Sequence, residues 1–201
     1  MKRKLTCHCG AEIESDFPEE IDLSQEPRTI DEILDGTFMS VRCTSCGALL
    51  KPEFATVLHG SDRGWNITFI PELERTGYLT GKREVETNRL VIGFRELREK
   101  AVMLREGLDD RPIEILKFYL LEKLEEPDEM SISLFEVSED ENLVFHIEGK
   151  GEELGLTKMP MRMYEKVFDE LEERIKEEPF FSIVAEPYVS INKICLEEDE
   201  K

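Results

Sequence analysis

Two short stretches carry the chemistry on offer, Cys7-His8-Cys9-Gly10 and Cys43-Thr44-Ser45-Cys46-Gly47. The second is a knuckle signature, two thiols three positions apart with glycine directly after. A tight turn there aims backbone N–H groups at the sulfurs, and glycine lets the turn close with φ > 0. The first stretch has one residue fewer. On a strand Cys7 and Cys9 would share a face, yet their sulfurs would start too far apart for adjacent tetrahedral positions. The chain must therefore turn at this point, and Gly10 allows it. The two segments, separated by the 33 residues 10–42, together offer four thiolates, the donor set of a closed structural zinc site. Cys7, Cys9, Cys43 and Cys46 are the expected ligands of a structural Zn²⁺. The alternative at the first pair is a site completed by His8 or by an external ligand.

Other groups offer less. Gly77-Tyr78-Leu79-Thr80-Gly81-Lys82-Arg83 brushes against a phosphate loop. It is one residue short, has Arg83 where a hydroxyl should hold magnesium, and has no helix pattern behind it, so a flexible loop is expected. His59 beside Gly60 reads as a turn histidine, and His146 as a sheet residue satisfied by hydrogen bonds. Cys195 stands far from the other four and reads as an inert thiol in a closing strand; Trp65 reads as core. Carboxylates are so numerous that choosing an acid–base pair would be arbitrary, and no HExxH, GxSxG or dinucleotide fingerprint stands out. An enzyme is therefore not the favoured reading.

Acids outnumber bases 46 to 26, a formal charge of -20. That balance repels phosphate backbones and anionic membranes, so neither nucleic acid nor membrane is an expected partner. Hydrophobic residues at 40% and charged ones at 36% describe a globular, acidic, well-solvated chain. Met1-Lys2-Arg3-Lys4 runs into Cys7 with no apolar segment behind it, unlike a secretory signal. The densest apolar stretch, residues 113–124, is too short and too charged to span a bilayer. A cytoplasmic location is expected, and in that compartment paired cysteines favour metal over disulfide.

Several elements must position the cysteines. Residues 11–15 alternate as a short strand, Thr29–Leu34 suits one or two helical turns stopped by Gly36, and Phe38–Arg42 reads as a strand delivering Cys43. Residues 48–58 and 65–70 have strand composition around a 60–64 turn. The first 70 residues thus predict a small, zinc-ribbon-like antiparallel sheet with little core of its own. Residues 72–87 read as a mobile polar loop and 89–94 as a strand. Phe94, Leu97, Ala101, Leu104 and Leu108 recur at helical spacing with Gly107 as the stop. Asp109, Asp110 and Pro112 start a second helix, apolar most of the way round, and the two are expected as an αα-hairpin.

The charged, proline-bearing run 125–129 is the expected linker, dividing the chain into domains 1–126 and 129–201. Beyond it, 131–137 and 142–149 predict a hairpin, 155–159 a further strand, and 160–178 a helix with one apolar stripe. That helix carries the pairs Glu170–Arg174 and Glu172–Lys176 on its outer face. Residues 180–196 have the composition of a closing strand. The fold class expected is α+β, with a C-terminal α+β segment.

With both cysteine pairs and this order of elements in view, the chain resembles the CpXC-domain proteins of bacteria and archaea. The resemblance runs from Cys7 to about Leu124. It rests on the CxxC-Gly knuckle, the stretch Ile33-Leu34-Asp35-Gly36-Thr37-Phe38 leading to Cys43, and Gly107-Leu108-Asp109-Asp110 between the helices. In style the chain is most similar to two-part members with a C-terminal α/β extension. Thr44 stands where that pattern has proline, a mild departure; the first pair lacks both the proline and one residue. The family's biochemical role is uncharacterised, so the resemblance implies architecture and cysteine pairing only. The leading expectation is a zinc-binding protein whose metal is structural and which acts through contacts with a protein partner or by self-association. The rivals are an enzyme with an unrecognised site between the domains and a nucleic-acid-binding zinc ribbon.

Overall fold

The computed structural model describes residues 1–82, 85–124, 130–149 and 152–194. The chain divides into two compact units, Met1–Ala101 and Val102–Lys201. The expected linker at 125–129 lies outside the described residues, as do Arg83 and Cys195. Helices and antiparallel strands occur in both units, so the α+β class holds.

The first unit opens with a hairpin, β1 (Lys2–Thr6) against β2 (Glu12–Asp16), antiparallel with Leu5 opposite Ile13. The basic N-terminus is thus a strand that its composition did not announce. Then come β3 (Glu20–Asp22), helix α1 (Arg28–Leu34) and a second small hairpin, β4 (Val41–Arg42) against β5 (Leu49–Leu50). The strand expected over 38–42 is confined to its last two residues, because Met39 takes φ 54° and breaks the extended chain. The strand expected over 48–58 likewise divides, into β5 and β6 (Thr56–His59).

The same unit holds a four-stranded sheet in the order β3-β6-β7-β8, with β7 at Ile67–Ile70 and β8 at Arg89–Ile92. The two cysteine hairpins are antiparallel as expected, and this sheet corrects the expectation only in part. β3 pairs parallel with β6 and β7 parallel with β8, and only β6–β7 is antiparallel. A parallel pair needs a long crossover, and residues 23–55 and 71–88 supply the two. The hairpin β4–β5, which carries Cys43 and Cys46 in its turn, therefore lies within the crossover from β3 to β6. All four residues of the interior strand β7 and of the edge strand β8 are buried, so both faces of the sheet are covered there.

Residues 72–87, expected as a loop, contain a 3-10 turn, Glu72–Glu74, and a short helix α2, Arg75–Leu79. Arg75 organises them: its guanidinium reaches Glu72 and, at 2.9 Å, Glu96, and donates to the Ile92 carbonyl at 3.2 Å. Helix α3 (Gly93–Glu106) follows β8 directly and passes through the division between the units. Its end matches expectation: Leu108 N–H bonds to the Met103 carbonyl at 2.8 Å and Gly107 N–H to Leu104 at 3.3 Å, a Schellman closure.

The second unit is built on α4 (Asp110–Leu121), whose N-cap Asp109 accepts from the Arg111 N–H. It is buried most of the way round, as its sequence predicts, down to the ion pair Glu114–Lys117 at 2.7 Å. A three-stranded antiparallel sheet follows, in the order β11-β10-β9: β9 (Met130–Val137), β10 (Asn142–Gly149) and β11 (Glu152–Pro160).

The helix expected over 160–178 breaks into α5 (Met161–Asp169) and α6 (Leu171–Arg174). The Glu170 carbonyl accepts from both Glu173 and Arg174 N–H groups at 3.1 Å, tightening the turn in 3-10 fashion. Arg174 pairs with Glu170 as expected, but Lys176 takes Glu173, at 2.7 Å, rather than Glu172. The closing strand is a further correction. Residues 180–194 make α7 (Phe180–Val184) and a 3-10 turn at Ile191–Lys193. Among the described residues no helix is long and apolar enough to cross a membrane.

Candidate metal centre

Each cysteine pair sits in the turn of one small hairpin. Between β1 and β2 the chain reverses through Cys7–Gly10: Gly10 N–H bonds to the Cys7 carbonyl at 2.8 Å and Cys7 N–H to Ala11 at 2.9 Å. Between β4 and β5 the turn is one residue longer, with Gly47 N–H on the Cys43 carbonyl at 2.9 Å and Cys43 N–H on Ala48 at 2.8 Å. Gly10 at φ 86° and Gly47 at φ 75° occupy the same place in both, the left-handed residue that closes the loop. The shorter first loop is thus accommodated by a tighter turn, as its composition requires.

The four sulfurs converge. Each Sγ of Cys7, Cys9, Cys43 and Cys46 lies within 4.8 Å of the others. Cys7 Sγ is 3.6 Å from Cys46 and Cys9 Sγ is 3.7 Å from Cys43, so the contacts run between the two loops. Cys7 and Cys43 are buried, while Cys9 and Cys46 face solvent. Beneath them lies a very small apolar floor, Ile13 with the two buried cysteines, flanked by Ala11, Val41, Ala48 and Leu50.

The backbone favours thiolates here. N–H groups of Cys46 and Ser45 point at the Cys43 sulfur and bring its thiol down to about 6. At Cys46 the Ala48 N–H also favours the thiolate, but the Cys9 and Cys7 sulfurs prevail and push it up to about 12. Cys7 is raised as well, the Cys9 N–H working against burial and the Cys9 and Cys43 sulfurs. Crowded sulfurs resist ionising together, and a cation centred among them removes that resistance. Donor type, convergence and N–H bonding are compatible with a metal site.

His8 stands outside this group. It is exposed, with Nδ1 3.7 Å from Cys7 Sγ. The other sequence candidates lie elsewhere. His59 ends β6 and its carbonyl accepts from Leu23 N–H. His146 on β10 contacts Glu148 at 3.3 Å and the Phe135 ring at 6.3 Å between centroids. Gly77–Leu79 fall within α2, which is no phosphate loop. Trp65 is buried, as expected, but under three cations: Lys100 at 5.0 Å, Arg89 at 5.2 Å and Arg63 at 5.5 Å from its ring. Nothing in the linear sequence signalled that ring of charge, because its members come from the 60–64 turn, β8 and α3. The floor residue Ile13 had one signal, its alternation within 11–15.

The model of the CpXC family, described as "CpXC protein", matches residues 5–117. An uncharacterised protein of Treponema pallidum (strain Nichols) is 24% identical over 216 aligned residues, which cover 95% of this chain and 97% of the relative. No solved structure matches.

Proposed function

The chain belongs to the CpXC family, and from that premise we propose that it is a zinc-structured protein of the zinc-ribbon kind, acting through protein contacts rather than by catalysis. One observation carries the reading. In a tetrahedral site with Zn–S bonds of about 2.3 Å, neighbouring sulfurs lie about 3.8 Å apart. The cross-loop separations of 3.6 Å and 3.7 Å fit that edge. Cys7, Cys9, Cys43 and Cys46 would each supply one thiolate, and four protein ligands leave no position for a substrate water. Zinc supplies a redox-inert cross-link between two loops, and that is its whole chemistry here.

The apolar floor explains why such a link is useful. Two hairpins resting on one buried isoleucine and four partly buried neighbours bury too little to hold themselves together. Structural zinc contributes on the order of 10 kcal/mol of apparent binding free energy at neutral pH, much of it offset by ordering the ligands. A role through contacts, with a partner or with a second copy, is supported by the closed donor set and by the apolar Leu156, Phe168 and Phe181 exposed on the second unit. The acidic balance weighs against nucleic acid, and cytoplasmic residence suits reduced thiols.

Elemental analysis of protein purified under reducing conditions tests the metal. One zinc per chain is expected, and Cys46→Ser should abolish tight binding. A metal-free wild type whose thiols all titrate freely overturns the assignment. Loss of binding on replacing Cys43 or Cys46, but not Cys7, would leave the second loop right and the first wrong.

A further inference from the structure

We propose that the two solvent-facing sulfurs, Cys9 and Cys46, are a modification site for hydroperoxides, and that their oxidation is resolved across the loops into Cys7–Cys46 and Cys9–Cys43 disulfides. The inference rests on reading the four cysteines as a metal-ligand set. Its basis is an asymmetry within that set. One cysteine of each loop is buried and the other exposed, so an oxidant arriving from solvent meets Cys9 and Cys46 first. Each exposed sulfur already touches the buried sulfur of the opposite loop, at 3.6 Å for Cys46–Cys7 and 3.7 Å for Cys9–Cys43. Those distances are van der Waals contact, one short movement from a bond of about 2.05 Å. Within each loop the pair is instead spanned by a closed turn, Gly10 N–H on Cys7 and Gly47 N–H on Cys43.

The chemistry balances with a hydroperoxide as the sole oxidant. The exposed thiolate attacks a peroxide oxygen; an S–O bond forms, the O–O bond breaks, and the leaving hydroxide (alkoxide for an organic hydroperoxide) is protonated by the buffer. The sulfenic acid loses its oxygen when the buried thiolate attacks its sulfur, forming S–S and releasing a second hydroxide that is protonated in turn. Two peroxide equivalents convert four thiolates into two disulfides, and a divalent ion held by those thiolates would lose its ligands without any change of oxidation state. Because both disulfides join one loop to the other, the hairpins stay tied after the metal has gone. The site thereby exchanges one cross-link for another under oxidation, shedding metal without releasing the fold.

The test uses the full chain, purified with its metal in reductant and then exposed to hydrogen peroxide. A chromogenic chelator reads released zinc, and non-reducing peptide mapping with fragmentation reads the linkages. Zinc release accompanied by Cys7–Cys46 and Cys9–Cys43 links is expected, reversed by reductant and added zinc. In Cys9→Ser the Cys7–Cys46 link should persist, and in Cys7→Ser the Cys9–Cys43 link. Retention of zinc in excess peroxide overturns the proposal, as does a Cys43–Cys46 or Cys7–Cys9 link, or one to Cys195. A preparation that never held metal would sink the metal reading instead, and mapping on that material would still decide the sulfur pairing.

Discussion

Gly10 and Gly47 do for the site what the cysteines cannot do alone. Both lie at positive φ, and a Cβ added at either would meet nothing within 4 Å. The requirement is thus one of backbone conformation rather than space. Gly47→Ala should destabilise the loop by about 1 kcal/mol, the cost of an L-residue in the left-handed region, with no steric clash added. Zinc affinity measured by chelator competition should fall roughly fivefold for that figure, with stoichiometry unchanged. An unchanged affinity would mean that the loop is held open in some other way. This level of detail was legible in the sequence because cysteine spacing and the glycine behind it are local signals. The cross-loop contacts were not legible, since they depend on two hairpin turns, their cysteine pairs separated by 33 residues, meeting face to face.

Elements were readable where one periodicity prevailed and misread where composition and spacing disagreed. α3, α4 and the β9–β10 hairpin follow their patterns, down to the Schellman closure at Gly107 and the Asp109 cap. Phe180–Val184 is rich in strand-formers, but as α7 it buries Ile183 and Val184 and leaves Phe181 exposed, a burial pattern that its composition alone does not give. The parallel pairs in the β3-β6-β7-β8 sheet escaped notice because pairing direction depends on crossovers, not on the strands themselves.

Tyr164 on α5 accepts at its hydroxyl from the buried Asp109 N–H, 2.8 Å away, tying α5 to the start of α4. Tyr164→Phe should cost about 1–3 kcal/mol in chemical denaturation, the loss of a buried hydrogen bond. Inside α4, Glu114 is held by Lys117 and accepts from the Ile191 N–H at 2.8 Å. Lys117→Met takes away its ion-pair partner and should cost about 3–5 kcal/mol. A value below 1 kcal/mol for either variant would remove that contact from the account of the second unit.

At the scale of the molecule, charge and the proposed metal set the expected behaviour. A formal charge of -20 opposes phosphate neutralisation, so no appreciable affinity for duplex DNA is expected at physiological salt; a salt-sensitive submicromolar complex in a titration would refute this. Acid lability has a local source in the first unit. Ser24 and Thr37 hydrogen bonds hold the Asp22 and Asp35 carboxyls below their ordinary 3.8. A carboxyl depressed in the fold contributes stability that is present above 3.8 and lost as pH falls through its folded value. The double variant Asp22→Asn/Asp35→Asn should therefore show a shallower acid limb in thermal denaturation than the wild type. Metal removal should act unevenly. The cysteine hairpins rest on a floor of one buried isoleucine and its partly buried neighbours, whereas the second unit has its own core at Ile113, Leu116, Leu134, Phe145 and Tyr164. Chelation under reducing conditions should raise amide exchange across β1–β2 and β4–β5 first, with β9–β11 and α4 nearly unchanged. Equal loss of protection in both units would show that the metal holds more than its own two loops, and the division of labour argued for the cysteines would have to be abandoned.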